Sequence, residues 1–145
     1  NIIQFDNEGR REQDLFAGTD QLGIEALSRG AAEAVFVDES AKSLKLVRTN
    51  LERSGLKGRV EQADSIGFLR RAGKFDLVFL DPPYDSDLLE KALEAIQNVD
   101  ILNDGGIIVC ESRREKTMPE LAPPYRQTLS RRYGKVCLTV YKKDN

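Results

Sequence analysis

The chain has 145 residues, a length that fits one domain and is enough for a core without disulfide or metal staples. Apolar residues make up 40% and charged residues 32%, and the net charge of −2 leaves any nucleic-acid contact to a local basic patch. With no histidine, and two cysteines outside any CxxC spacing, a histidine-based triad is excluded and no metal site is expected.

No run approaches the ~18 apolar residues of a membrane span and no secretory signal is visible, so the expected setting is cytoplasmic, without a membrane partner. The opening NIIQF reads as the end of a helix, and with no initiator Met the chain is expected to lack an N-terminal segment. DLFAG (14–18) reads as a strand end that runs into a glycine loop, and residues 21–29 as a helix. AVFVD (34–38) is a β-branched strand ending in an acid. Residues 40–55 carry Leu44, Val47 and Leu51 at three- and four-residue steps and stop at Gly55, an amphipathic helix. RVEQAD (59–64) predicts a short strand, 65–73 a short helix, and FDLVFLD (75–81) a central strand buried on both faces. Residues 86–98 read as a helix capped by Ser86 or Asp85, and the strand IIVCES follows Gly105-Gly106. Two alternating segments, 125–134 and 135–143, read as an antiparallel pair. Cys110 and Cys137 stand in apolar runs and are expected as buried thiols. Strands alternating with helices imply a parallel sheet. The expectation is one α/β domain over 1–145: a doubly wound, mostly parallel seven-stranded sheet with a C-terminal antiparallel hairpin.

The strand ends carry the chemistry. In doubly wound sheets ligands sit beyond the carboxyl ends of the strands, where strand order reverses. Gly18 lets backbone pass close to a ligand, Gly23 permits tight packing of the first helix, and the helix start offers free amides. A plain strand-to-helix turn is the competing reading. Asp38, about 20 residues past Gly18, can accept from both hydroxyls of a ribose, with Glu39 beside it to share the role; the alternative is a cap on the next helix. Asp64, followed by Ser65, can accept from an adenine amine or cap the helix that follows. The strongest signal is Asp81-Pro82-Pro83-Tyr84. Two prolines stiffen the turn and leave the Pro82 carbonyl to point into a cleft. The Asp81 carboxylate and that carbonyl can accept from a planar NH2 group, and Tyr84 offers a face for a base to stack on. An NH2 conjugated to a ring is a poor nucleophile, and such acceptors orient its lone pair and stabilise developing charge.

Together these stretches resemble class I methyltransferases that use S-adenosylmethionine. DLFAGT, LGIEALSRGA, VFVD and FDLVFLDPPY are similar, over about Asn1 to Tyr141, to the bacterial 16S ribosomal RNA guanine-N2 methyltransferase family. The resemblance implies a Rossmann-like fold and methyl transfer to the exocyclic N2 amine of a guanine in 16S ribosomal RNA, without metal. It implies that Asp14, Phe16, Ala17, Gly18 and Thr19 line the methionine end of the cofactor. Asp38 would bind the ribose, Asp64 and Ser65 would flank the adenine, and Asp81 through Tyr84 would hold the guanine amine. DPPY also occurs in amino-directed DNA methyltransferases, a further alternative that lacks its recognition domain here. For RNA, the basic candidates are Arg10, Arg11, Arg29, Arg70, Arg71, Arg113, Arg114, Arg131 and Arg132, each also readable as part of a solvated face.

Three residues depart from the family pattern. Asp20 stands where the family usually has glycine. A carboxylate ~5 Å from the cofactor's own would repel it by about 3 kcal/mol at an effective dielectric near 20, about a hundredfold in affinity. Glu12 and Gln13 occupy apolar strand positions, so the first strand is expected to start late or Glu12 to find a partner. Such clustering opens a second reading: an engineered or inactivated scaffold with impaired cofactor binding.

Overall fold

The computed structural model describes residues 9–16, 21–84 and 86–145. Its elements are β1 (Arg11–Leu15), α1 (Gln21–Ser28), β2 (Glu33–Asp38), α2 (Ala41–Ser54), β3 (Arg59–Gln62), α3 (Ser65–Arg71), β4 (Phe75–Leu80), α4 (Leu88–Val99), β5 (Leu102–Arg113), β6 (Tyr125–Tyr133) and β7 (Val136–Lys143). All seven strands join one sheet in the order β3-β2-β1-β4-β5-β7-β6. The first five strands run parallel, and β7 inserts antiparallel between β5 and β6. Strand order therefore reverses between β1 and β4, which opens a crevice at their carboxyl ends. The α/β class and the terminal hairpin match the sequence expectation.

The central strands are apolar on both faces because both are covered. Val78 and Leu80 of β4 pack with Leu15, Val35, Val37 and the α3–α4 side chains, while Leu77 and Phe79 join Ala26, Val109 and Val140 on the opposite side. In α4, Leu89, Leu93 and Ile96 recur on one face and are buried. Their removal from water contributes about 5–9 kcal/mol before chain ordering is counted. Helix α2 keeps its predicted bounds for local reasons. Ser40 caps it by accepting the Ser43 amide, and Gly55 closes it at φ 68° in the left-handed region. Cys110 and Cys137 are buried thiols, as expected.

Four boundaries differ from the sequence reading. Strand β1 does not start late: it begins at Arg11, and Glu12 lies opposite both Ala34 and Leu77 in the ladder. Glu12 and Gln13 are fully buried, and their side-chain polar atoms find no hydrogen-bond partner among the described residues. Pairing on both sides holds this segment in the sheet despite its side chains. Its start is fixed by the Arg11 amide donating to Asp76 Oδ2 at 2.9 Å and by the Arg11 guanidinium 4.7 Å over the Phe75 ring. Burial, then the nearby Asp14 charge, raises the Glu12 carboxyl well above its ordinary value.

Strand β3 ends at Gln62 because Asp64 is already the N-cap of α3. Helix α4 begins at Leu88, and its N-cap position is Asp87, whose side chain makes no capping bond; Ser86 Oγ accepts the Leu88 amide at 3.4 Å. Asp85, the other expected cap, lies outside the described residues. Strand β5 begins at Leu102, before the glycine pair, because a register shift against β4 takes up the intervening residues.

Candidate functional site

The carboxyl ends of the parallel strands open on a cavity of about 580 Å³. Each strand delivers its next residues to that wall: Phe16 after β1, Asp38 and Glu39 at β2, Asp64 and Ser65 after β3, Asp81 through Tyr84 after β4, and Glu111 from β5. The sequence singled out every one of these except Glu111. Ser43 of α2 and Leu88 of α4 complete the lining and were also unforeseen.

Local bonds shape the acids at these tips. Asp38 Oδ1 accepts the Ser40 amide at 2.9 Å, and Oδ2 takes no other hydrogen bond among the described residues. The capping reading and the ligand reading are thus compatible, one oxygen for each. Asp64 behaves alike: Oδ2 accepts the Gly67 amide at 2.9 Å as a helix cap, while the residue lines the cavity. Ser65 is buried, and its Oγ accepts the Phe16 amide at 3.2 Å, tying the β1 tip to the start of α3. Phe16 itself has φ 61°, a left-handed conformation costing about 1–2 kcal/mol for a side chain of this size, here held beside the cavity.

The turn after β4 separates two hollows. A second cavity of about 290 Å³ shares Pro82, Pro83, Tyr84 and Glu111 with the first and adds Ser112, Arg113 and Lys116. The Pro83 carbonyl accepts from Ser86 Oγ at 2.7 Å, which braces the turn, and Pro82 is buried. Tyr84 is 39% exposed, and the Arg113 guanidinium stands 5.2 Å from its ring centroid. Burial, then the charges of Glu111 and Asp81, raises the Tyr84 hydroxyl above its usual value against the opposing pull of Arg113.

Glu111 is the residue that sequence reasoning missed. Leu80 pairs with Cys110, so Asp81 and Glu111 follow side by side from adjacent strands. Half-burial, then the charge of the adjacent Asp81, pushes the Glu111 carboxyl up to about 7. A signal was present: like VFVD and FDLVFLD, IIVCE runs from apolar residues straight into an acid.

Several predicted residues sit elsewhere. Asp14 is buried inside β1 and is not part of the cavity lining; its Oδ2 would lie 3.0 Å from a Cβ on Gly23. Gly23 does allow close packing, since that Cβ would fall 2.5 Å from Phe36 Cε1. Ala17, Gly18, Thr19 and Asp20 lie outside the described residues. Of the basic candidates Arg113 lines the smaller of these two cavities; Arg11 is engaged with Glu33, Arg29 with Glu25, and Arg71 stacks 5.3 Å over Phe68. Among the described residues no His, Cys, Asp and Glu grouping suits a metal ion, and no helix is long and apolar enough to cross a membrane.

Comparison with known proteins bears directly on this geometry. The family model described as Conserved hypothetical protein 95 matches residues 1–142. The chain belongs to this family. It is 38% identical over 142 residues to "Putative rRNA methyltransferase YlbH" of Bacillus subtilis, covering 94% of this chain and 77% of that one. It is 30% identical over 133 residues to "Ribosomal RNA small subunit methyltransferase D" of Escherichia coli, covering 90% and 67%. The solved structure titled "Putative methyltransferase yhhF from Escherichia coli" superposes with a TM-score of 0.84 at 28% identity, covering 95% and 77%. The member of Conserved hypothetical protein 95 described here is therefore a methyltransferase-fold enzyme of the RNA-modifying type. The reading as an engineered scaffold finds no support in these relatives.

Proposed function

We propose that this chain transfers a methyl group from S-adenosylmethionine to the exocyclic N2 amine of a guanine in 16S ribosomal RNA, in the cytoplasm. One observation carries the reading: the acids suited to an adenosine and the Asp81–Tyr84 turn suited to an NH2 group open on the same cavity. The cavity fits the cofactor chemically. Asp38 keeps an oxygen for the ribose hydroxyls, Asp64 and Ser65 flank a position for the adenine, and Phe16 and Leu88 supply apolar wall. When bound, S-adenosylmethionine supplies an electrophilic methyl on a positively charged sulfur.

The chain's own residues prepare the nucleophile. The Asp81 carboxylate accepts an N–H of the amine and so turns its lone pair outward. The same carboxylate stabilises positive charge developing on the nitrogen and takes up the proton that leaves. Tyr84, flanked by Arg113, gives the base a surface to stack on, and the proline pair keeps the turn from relaxing. Relatives titled as ribosomal RNA methyltransferases favour RNA over DNA as the polymer.

The test is transfer of labelled methyl from S-adenosylmethionine to small ribosomal subunits that lack the modification, followed by nucleoside mass analysis. N2-methylguanosine as the product is expected. Label on another nucleoside, or on a DNA oligonucleotide alone, would overturn the assignment.

A further inference from the structure

Glu111 has no part in the chemistry above, yet it stands where the two cavities meet. Both are lined by Glu111 together with Pro82, Pro83 and Tyr84, so a group on Glu111 faces the slot in which a base would stack on Tyr84. Its neighbour across the ladder is Leu138 of β7, which offers no competing polar partner. Asp81 stands beside Glu111 and lines the same larger cavity, which gives the slot two adjacent carboxyls.

A guanine presents two kinds of donor on one edge: the N2 amine and the adjacent N1–H. One carboxylate can engage only part of that edge. Resting on the guanine reading above, we propose that Glu111 is the specificity residue of the slot, accepting the N1–H of the target guanine while Asp81 accepts from its N2 amine. Adenine carries an acceptor at N1 and would meet an acceptor there. Rejection comes from leaving a half-buried carboxylate unpaired, a stronger filter than loss of a contact alone.

The electrostatic surroundings make the role pH-dependent. Asp81 faces Glu111 from β4 and Tyr84 from the turn; Arg113 lies on its own strand, and Glu115 and Lys116 follow it around the smaller cavity. Across the larger cavity stand Asp38, Glu39 and Asp64. With its carboxyl pushed up to about 7, Glu111 becomes a full carboxylate acceptor as pH rises through neutrality, while its protonated form accepts only through the carbonyl oxygen. A guanine that donates to the ionised form lowers that value and carries the proton release into binding.

The experiment uses 16S ribosomal RNA in which 2-aminopurine, assembled by ligation, replaces the modified guanine. This base keeps the N2 amine but lacks N1–H, and its fluorescence reports binding directly. Wild type should prefer guanine by about 10–100-fold in both affinity and kcat/KM. Glu111→Ala should bring the two RNAs to within about threefold. Glu111→Gln keeps an acceptor oxygen, so it should retain most of the preference yet lose the rise in guanine affinity through about pH 7. Wild type that methylates guanine but treats the two RNAs alike, or Glu111→Ala that keeps the full preference, overturns the assignment of Glu111. Wild type that methylates no ribosomal guanine overturns the functional reading and this inference with it.

Discussion

Replacing Glu12 by valine should stabilise the protein. Glu12 is fully buried in the second position of β1, between Ala34 and Leu77, with both carboxyl oxygens lacking a described partner. An unsatisfied polar group in such a place costs about 1–3 kcal/mol, and valine has similar volume and suits a strand. Titration adds to this cost. The folded-state value is raised above the ordinary 4.5, so the folded chain binds the proton more tightly than the unfolded one. The contribution of Glu12 is therefore intact below 4.5 and is lost as pH rises through the folded value, at about 1.4 kcal/mol per pH unit in that window. Urea denaturation of wild type and Glu12→Val across pH 5 to 8 reads both effects. The variant should gain at least about 1–3 kcal/mol, roughly 3–10 °C in Tm, and the gain should grow with pH. Glu12→Gln should flatten the pH dependence while recovering less stability, because its amide remains unsatisfied. A valine variant no more stable than wild type at pH 7, with an unchanged pH profile, would show that Glu12 is paired in solution and refute the argument.

Other perturbations probe the site and its supports. Gly23→Ala places a methyl 2.5 Å from Phe36 Cε1 and should lose about 1–2 kcal/mol in a denaturant titration, overpacking outweighing the gain in helix propensity. Tyr84→Ala should weaken RNA affinity by about 5–150-fold while S-adenosylhomocysteine affinity stays within about threefold, and Tyr84→Phe should keep most RNA binding. Asp20→Gly should tighten cofactor binding by about a hundredfold if the loop carboxylate repels the cofactor's own, which calorimetry measures directly.

The parts of the fold most legible in the sequence were those where local and global preferences agree. FDLVFLD read as a central strand and is one, and the Gly55 stop that the sequence offered closes α2 in the structure, where Ser40 also caps its start. The acids at 38 and 81 were legible because each follows an apolar run, and Asp64 because it closes a short strand ahead of a helix. The double use of Asp38 and Asp64, one oxygen to a local amide while the residue lines the cavity, was not, since capping and ligand binding read as rivals in sequence and coexist in space. Strand β1 was misjudged because the desolvation of Glu12 and Gln13 was weighed alone, without the two flanking ladders that hold the segment in place. Glu111 was missed because its role depends on the register between β4 and β5, and that register passes through an irregularity the glycine pair conceals. The left-handed Phe16 had no signal at all, since glycine or asparagine is what such a φ ordinarily selects.

The account rests on one crevice that seats an adenosyl group beside the Asp81–Tyr84 turn, and calorimetric titration with S-adenosylhomocysteine tests it most directly. Wild type should release or take up heat with one-to-one stoichiometry, and Asp38→Ala, which removes the ribose acceptor, should bind at least about tenfold more weakly. No binding by wild type at millimolar ligand, or equal affinity in both proteins, would contradict the placement of the cofactor at these strand ends.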